Sequence, residues 1–239
     1  MKVLVTRAEP GAGRTADALR ERGLTPVIAP MLTIRPSTDI ALDLQGVQAL
    51  AFTSANGVRA WANARSERGL PALCVGDATA AAAREAGFET TLSAGGDVGD
   101  LIQLIRKRMN KAAGRIVHVR GSHVTGDLAG SLRDAGFAAE EAAAYEAVSA
   151  GRLPEAAREA LERKQLSLVL FHSSRAAAAF TALVDDADLT GRLSYLIAVT
   201  ISGQAADSLI RSDWLAVKIA DTPDEAALLD RVGAARLDP

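Results

Sequence analysis

Cysteine and histidine are scarce in this chain of 239 residues, which holds one cysteine and three histidines. Cys74 lies inside the short apolar run ALCV, so a buried structural thiol is the expected role. One cysteine cannot form a disulfide within the chain, and the histidines lack the spacing of metal ligands. The sequence therefore argues against a disulfide framework and against a zinc or iron centre, and we expect no cofactor.

Neither sign of charge dominates, because 27 Lys and Arg residues face 29 Asp and Glu residues and leave a net charge of −2. This balance predicts no general attraction to nucleic acid. No apolar run approaches the roughly 20 residues of a membrane helix. The N-terminal segment MKVLVTR leads directly into a strand and lacks the layout of a signal peptide. We expect a cytoplasmic protein that binds neither nucleic acid nor membrane and recognises anions only locally.

Familiar catalytic loops are also missing. No GxSxG, Walker or GxGxxG pattern follows a predicted strand, and GAGRT at 11–15 is only a partial resemblance. A nucleotide-dependent transferase would need such a phosphate loop together with a pair of metal-binding carboxylates. The sequence disfavours that class.

Strand and helix patterns alternate along the chain, which predicts an α/β fold whose parallel sheets carry helices on both faces. With 49% hydrophobic residues the chain can fill two modest cores. The segment MLTIR is bracketed by Pro30 and Pro36, so it is expected to be extended. The predicted strands are Val3–Thr6, Thr25–Ala29, Val47–Phe52, Ala72–Val75, Glu89–Leu92, Arg115–Val119, Ala138–Val148, Leu166–Phe171, Leu193–Val199 and Leu215–Ile219.

The stretch FTSANGVRAW, residues 52–61, is an apolar strand that ends in hydroxyls where a helix begins. It recurs as FHSSRAAAAF at residues 171–180, an offset of 119 positions. A strand that runs directly into a helix leaves unpaired backbone N–H groups beside hydroxyl donors. Each corner is therefore a candidate anion site.

Two further repeats support a duplicated architecture. VLVTR and IVHVR are offset by 113 positions, which aligns Arg7 with Arg120, and an offset of 123 aligns Thr79 with Ser202. The copies do not follow one another in order, because the first strand and helix belong to a unit whose remaining elements lie after residue 150. This order predicts a lobe B, residues 37–148, inserted into a lobe A. Lobe A comprises residues 1–33 and 150–239, and the linkers are 30–36 and 143–150.

Ligands bind at the carboxyl ends of the strands in parallel α/β sheets, so the residues there are the candidate site. Short hydroxyls, glycines and two arginines suit a polyanion. Each hydroxyl could instead only cap its helix, each arginine could be a solvated strand end, and His118 and His172 are expected to be structural. Tyr145 breaks the repeat symmetry and is either catalytic or a packing residue. The candidate binding residues are Arg7, Thr53, Ser54, Asn56, Gly76, Thr79, Arg120, Gly121, Ser173, Ser174 and Ser202.

In the order and spacing of these motifs the chain resembles the uroporphyrinogen-III synthase family. The resemblance rests on VLVTR, FTSANGV, VGDATA, the VRG at 119–121, AAYEAV around Tyr145, and FHSS. It implies two flavodoxin-like lobes joined by a two-stranded β ladder, with the active site in a cleft. The family usually has a glycine-proline corner before the hydroxyl of the last helix, where this chain has Val199-Thr200-Ile201-Ser202.

The resemblance also implies a reaction and partners. Linear hydroxymethylbilane, a tetrapyrrole precursor ringed by carboxylates, would lose its hydroxyl and close through a spiro intermediate with its terminal pyrrole inverted. Tyr145 matches the tyrosine thought to assist departure of the hydroxyl. A monomeric lyase that transiently contacts the preceding pathway enzyme is expected. The alternative from the residues alone is a two-lobed, non-catalytic protein that binds or senses a polycarboxylate.

Overall fold

The computed structural model describes residues 1–123, 126–210 and 212–235. The strand boundaries lie within a few residues of the predicted ones for most strands. The strands are β1 Lys2–Val5, β2 Thr25–Ile28, β3 Leu32–Pro36, β4 Val47–Phe52, β5 Ala72–Cys74, β6 Thr91–Ser93, β7 Arg115–Gly121, β8 Ala139–Ser149, β9 Leu166–Phe171, β10 Ile197–Thr200 and β11 Ala216–Ile219.

Helices alternate with these strands. They are α1 Gly11–Glu21, α2 Ala55–Ala64, α3 Asp77–Glu85, α4 Val98–Arg108, α5 Leu128–Asp134, α6 Glu155–Glu162, α7 Ser174–Asp186, α8 Gly203–Asp207 and α9 Glu225–Ala235, with a 3₁₀ helix at Thr190–Tyr195. Among the described residues, no helix combines the length and the apolar character that a membrane crossing requires.

The strands form two sheets in the described part of the chain. One has the order β11-β10-β9-β1-β2 and the other β3-β8-β7-β4-β5-β6. Within the first sheet all neighbouring strands are parallel, as are the neighbours from β8 to β6 in the second. The predicted α/β class with parallel sheets is confirmed.

Each central strand is buried on both faces, which explains why these strands are continuous apolar runs. In β1, Val3 and Val5 pack with α1 and α9, whereas Leu4 packs on the opposite face with α6 and α7. In β4, Leu50 faces α2 and α3, and Ala51 faces α4 and α5. Helices therefore cover both faces of both sheets.

The chain forms two compact units, residues 1–33 with 148–239 and residues 34–147. We call them unit 1 and unit 2. The strand order β2-β1-β9-β10-β11 of unit 1 matches β8-β7-β4-β5-β6 of unit 2 position by position. The sequence repeats therefore lie at equivalent places in the two sheets, although they occur in a different order along the chain.

The strand registers correct one of the three predicted offsets. Cys74 of β5 lies opposite Phe52, and Thr200 of β10 lies opposite Phe171. The equivalent strands β5 and β10 are therefore offset by 126 positions. The predicted offset of 123 is wrong, and Thr79 lies within α3 rather than at its cap. The caps that correspond at the new offset are Gly76 and Ser202.

The predicted strand Leu193–Val199 is wrong in its first half. Residues Thr190–Tyr195 form a 3₁₀ helix that buries Leu193, and the strand begins at Ile197. The run LSYLIAV at 193–199 has the apolar character of a strand although its first residues form this turn. Val199 is fully buried within β10, paired with its neighbouring strands, and is therefore not part of the corner that precedes α8.

Candidate functional site

Tyr145 lies on β8 beside the carboxyl end of β7. It pairs with Gly121, and its carbonyl accepts a hydrogen bond of 2.8 Å from the N–H of Ser122. Its ring packs against the apolar cluster of unit 2, which includes Phe52. Its hydroxyl lies 3.0 Å from Oγ of Ser54. The structure thus brings together three predicted site residues that are far apart in sequence.

Ser54 is the N-cap of α2. Its backbone is extended, with φ −157° and ψ 151°, and its Oγ accepts a hydrogen bond of 3.2 Å from the N–H of Gly57. An N-cap hydroxyl satisfies one of the four N–H groups that the first turn leaves unpaired. The capping interpretation of Ser54 is confirmed, and the same oxygen also contacts Tyr145.

Thr53 is held by a buried histidine on the neighbouring strand. Its Oγ1 lies 3.1 Å from Nε2 of His118, whose side chain is only 3% exposed. Burial, partly opposed by the charge of Glu141, lowers the pKa of His118 to about 4, so the imidazole is neutral at pH 7. The burial of His118 fits the structural role expected from the sequence, and its contact with Thr53 orients the Thr53 hydroxyl.

Arg120 is the penultimate residue of β7, and its guanidinium already has hydrogen-bond partners. Its Nη2 lies 2.7 Å from Oε2 of Glu141, and its Nη1 donates to the carbonyls of Gly121 at 2.8 Å and Ser122 at 3.1 Å. The side chain is 20% exposed. A substrate carboxylate at Arg120 would therefore have to compete with Glu141.

The other predicted residues of unit 2 lie in the first turns of two helices. Asn56 is in the first turn of α2, where its Oδ1 is 3.5 Å from Nη1 of Arg59. Gly76 is the N-cap of α3 and supplies no side-chain cap, so the first turn of this helix depends on other acceptors. Thr79 is 5% exposed, and its N–H donates to the carbonyl of Gly76. At the start of α3, no side chain caps the helix at Gly76, and Thr79 is buried.

The corners of unit 1 repeat the serine caps. Ser173 caps α7 and accepts a hydrogen bond of 3.2 Å from the N–H of Ala176, and Ser174 is the first residue of that helix. Ser202 caps α8 and accepts one of 3.4 Å from the N–H of Ala205. The capping interpretation is therefore confirmed for both serines.

Arg7, the counterpart of Arg120, is engaged in a similar way. Its Nη1 lies 2.6 Å from Oε2 of Glu225. Glu225 also accepts from the hydroxyl of Thr15 at 2.6 Å and is 3.0 Å from Nε2 of His172. Burial acts to raise the pKa of Glu225, but the bonds with His172 and Thr15 and the charge of Arg7 outweigh it and lower this pKa to about 2. These side chains form one polar network within unit 1.

Sequence reasoning missed Glu141 and Glu225, the carboxylates that pair with the two arginines. The repeats could not reveal them, because position 28, at the offset of Glu141, is Ile28 and because α9 lies outside every detected repeat. Nor does the sequence place His118 and His172 beside Thr53 and Glu225. Within the ranges that the structure describes, no group of three or more His, Cys, Asp or Glu side chains could hold a metal ion.

Comparison with known proteins agrees with the motif resemblance. The family model described as uroporphyrinogen-III synthase HemD matches residues 13–230. A crystal structure of the uroporphyrinogen-III synthetase from Helicobacter pylori is similar with a TM-score of 0.67, 18% identity and 98% coverage of each chain. A mutant uroporphyrinogen III synthase from Thermus thermophilus is similar with a TM-score of 0.57, 18% identity and 100% coverage of each chain. No curated protein sequence matches.

At these identities the solved structures support the fold alone. The family model covers most of the chain, and this match confirms the family expected from the motifs. The chain belongs to the uroporphyrinogen-III synthase family.

Proposed function

We propose that the protein closes linear hydroxymethylbilane to uroporphyrinogen III, with inversion of the terminal pyrrole and loss of water, as a lyase without a cofactor. Family membership supplies the reaction. The observation that ties it to this chain is the hydroxyl of Tyr145, held 3.0 Å from Ser54 at the N-terminus of α2. A protein that only binds a polycarboxylate does not need a phenol at that place.

Tyr145 is proposed as the catalytic acid. Its hydroxyl donates a proton to the departing hydroxyl of the substrate, which leaves as water while the pyrrole nitrogen stabilises the remaining cation. Because the pyrrole already pushes the leaving group out, a neutral phenol is a sufficient acid. Most of the rate acceleration then comes from holding the two ends of the linear substrate close together.

The substrate carboxylates are proposed to bind at the helix N-termini and hydroxyls of both units. The partial positive charge and the unpaired N–H groups of a first turn favour anions. Arg7 and Arg120 contribute by exchanging Glu225 and Glu141 for a substrate carboxylate. The proposed binding residues remain Arg7, Thr53, Ser54, Asn56, Gly76, Thr79, Arg120, Gly121, Ser173, Ser174 and Ser202.

The organisation of the chain is part of the proposal. We propose two flavodoxin-like lobes, residues 1–33 with 150–239 and residues 37–148, since the strand order of unit 1 is the flavodoxin order 2-1-3-4-5. β3 and β8, which lie side by side, are proposed as the connecting ladder over 30–36 and 143–150. The protein is proposed to be a cytoplasmic monomer that transiently contacts the preceding pathway enzyme.

Incubation with enzymatically generated hydroxymethylbilane tests the function. Spontaneous closure gives the I isomer, so the purified protein should convert the substrate to the III isomer faster than the spontaneous reaction forms the I isomer. If only the I isomer forms, at the rate seen in buffer, the proposed function is wrong.

A further inference from the structure

Three groups of unit 2 form a chain of hydrogen bonds that ends at the phenol. The N–H of Gly57 lies 3.2 Å from Oγ of Ser54, and Oγ of Ser54 lies 3.0 Å from the hydroxyl oxygen of Tyr145. Gly57 is in the first turn of the ten-residue helix α2. The chain therefore begins at the positive end of a helix dipole.

The donors and acceptors give this chain a direction. A backbone N–H only donates, so Oγ of Ser54 accepts from Gly57. A serine hydroxyl has one proton, and Ser54 can place it on the oxygen of Tyr145. The proton of Tyr145 is then free for a third group. When that proton leaves, the phenolate oxygen keeps the Ser54 hydrogen bond, which becomes stronger because the acceptor is now charged.

We infer that Ser54 is a positioning residue that acts through Tyr145: it orients the phenol and stabilises the phenolate formed when the phenol protonates the leaving hydroxyl. This inference rests on the proposed function. The C–O bond breaks with its electron pair on oxygen, the proton of Tyr145 completes the water molecule, and the phenolate is reprotonated by the proton that the pyrrole loses on ring closure. Ser54 itself exchanges no proton with the substrate.

Unit 1 offers an internal comparison. Ser173 occupies the position equivalent to Ser54, caps α7 with the same 3.2 Å bond, and has the same extended backbone. Leu32 stands at the offset position of Tyr145 and has no hydroxyl. Capping is thus common to both units, whereas the contact with a phenol belongs to Ser54. The two roles of Ser54 can be separated by experiment.

The test is a double-mutant cycle with hydroxymethylbilane as substrate. Ser54→Ala is made in the wild type and in Tyr145→Phe. In the wild type it should lower kcat about tenfold or more, as expected for one lost hydrogen bond to a developing anion, whereas the loss of a contact between Ser54 and a substrate carboxylate would raise KM instead. In Tyr145→Phe it should lower kcat no further, because the oxygen on which Ser54 acts is absent.

Further variants separate catalysis from capping. Ser54→Gly keeps most of the capping stability but has no hydroxyl, so it should lose kcat as Ser54→Ala does. Ser54→Thr keeps the hydroxyl and should restore most of kcat. Ser173→Ala removes a serine cap that has no phenol partner, so its effect on the thermal unfolding midpoint measures the capping contribution alone.

The outcomes are distinct. Wild-type kcat in Ser54→Ala, or an equal loss in the presence and absence of the Tyr145 hydroxyl, would overturn the inference while the proposed function stands. Failure of the wild-type protein to form the III isomer would contradict the proposed function itself, and this inference with it. Wild-type kcat in Tyr145→Phe would show that the phenol is not the acid, and it would therefore overturn the inference that Ser54 acts through it.

Discussion

Gly121 lies directly against the ring of Tyr145. A Cβ placed on Gly121 would be 3.0 Å from Cε2 and from Cζ of the ring and 3.3 Å from its hydroxyl oxygen. The two residues are paired across β7 and β8. The absence of a side chain at Gly121 is therefore what allows the phenol to reach Ser54.

We predict that Gly121→Ala displaces the phenol and lowers kcat. A Cβ at 3.0 Å forces the ring to move by a few tenths of an ångström, and a catalytic hydrogen bond of 3.0 Å does not tolerate such a shift without loss. We expect kcat to fall about tenfold, which corresponds to about 1.4 kcal/mol in the barrier. Steady-state kinetics with hydroxymethylbilane measures this.

Gly69→Ala is the matched control, because Gly69 is exposed and has no atom within 4 Å of a built Cβ. It should keep wild-type kinetics and thermal stability. Equal, wild-type kcat in both glycine variants would show that the position of the ring does not limit the reaction.

Substitutions of Arg120 and of its partner Glu141 are predicted to have different effects on KM. If Arg120 holds a substrate carboxylate, Arg120→Ala should raise KM by about tenfold or more, as expected for a lost hydrogen bond between charged groups. Glu141→Gln removes the negative charge that competes for Arg120, so KM should fall or stay unchanged. Wild-type KM in both variants would mean that the 2.7 Å pair serves only to hold unit 2 together.

The buried imidazole of His118 should make the free energy of unfolding depend on pH. Burial lowers its pKa from 6.5 to about 4 in the folded protein. As the pH falls from about 6.5 to about 4, the unfolded chain binds the extra proton and the folded protein resists it, so the free energy of unfolding decreases. The loss should reach about 2–3 kcal/mol at the lower end of this range.

Urea unfolding at about pH 7.5 and about pH 4.5 measures this loss. In His118→Gln the difference between the two pH values should shrink, although His172, whose pKa is also lowered by burial, still contributes. The control is His123→Gln, at an exposed histidine, which should retain the wild-type difference. A difference as large in His118→Gln as in the wild type would contradict the assignment.

The sheets could be predicted because their strands are short apolar runs that end in polar residues. β4 and β9 have the predicted boundaries, Val47–Phe52 and Leu166–Phe171, since each is followed by a hydroxyl or histidine and a helix cap. The serine caps were visible for the same reason. These signals are local, so a single sequence carries them.

The contact of Tyr145 with Ser54 could not be predicted, because it depends on register between distant segments. The β7–β8 pairing shifts between Arg120 and Gly121, so that Tyr145, not Ala144, lies opposite Gly121. A one-residue shift reverses the face to which every later side chain points. The partner of Arg7 is also non-local, because Glu225 is 218 positions from Arg7.

The most direct test of this account compares the isomers made by the wild type, Tyr145→Phe and Tyr195→Phe from hydroxymethylbilane. Tyr195, the other tyrosine of the chain, is 48% exposed and serves as the control. We predict that the wild type and Tyr195→Phe form the III isomer at the same rate. A folded Tyr145→Phe should be at least about tenfold slower, with product shifted toward the I isomer. Wild-type rate and isomer ratio in Tyr145→Phe would contradict the account.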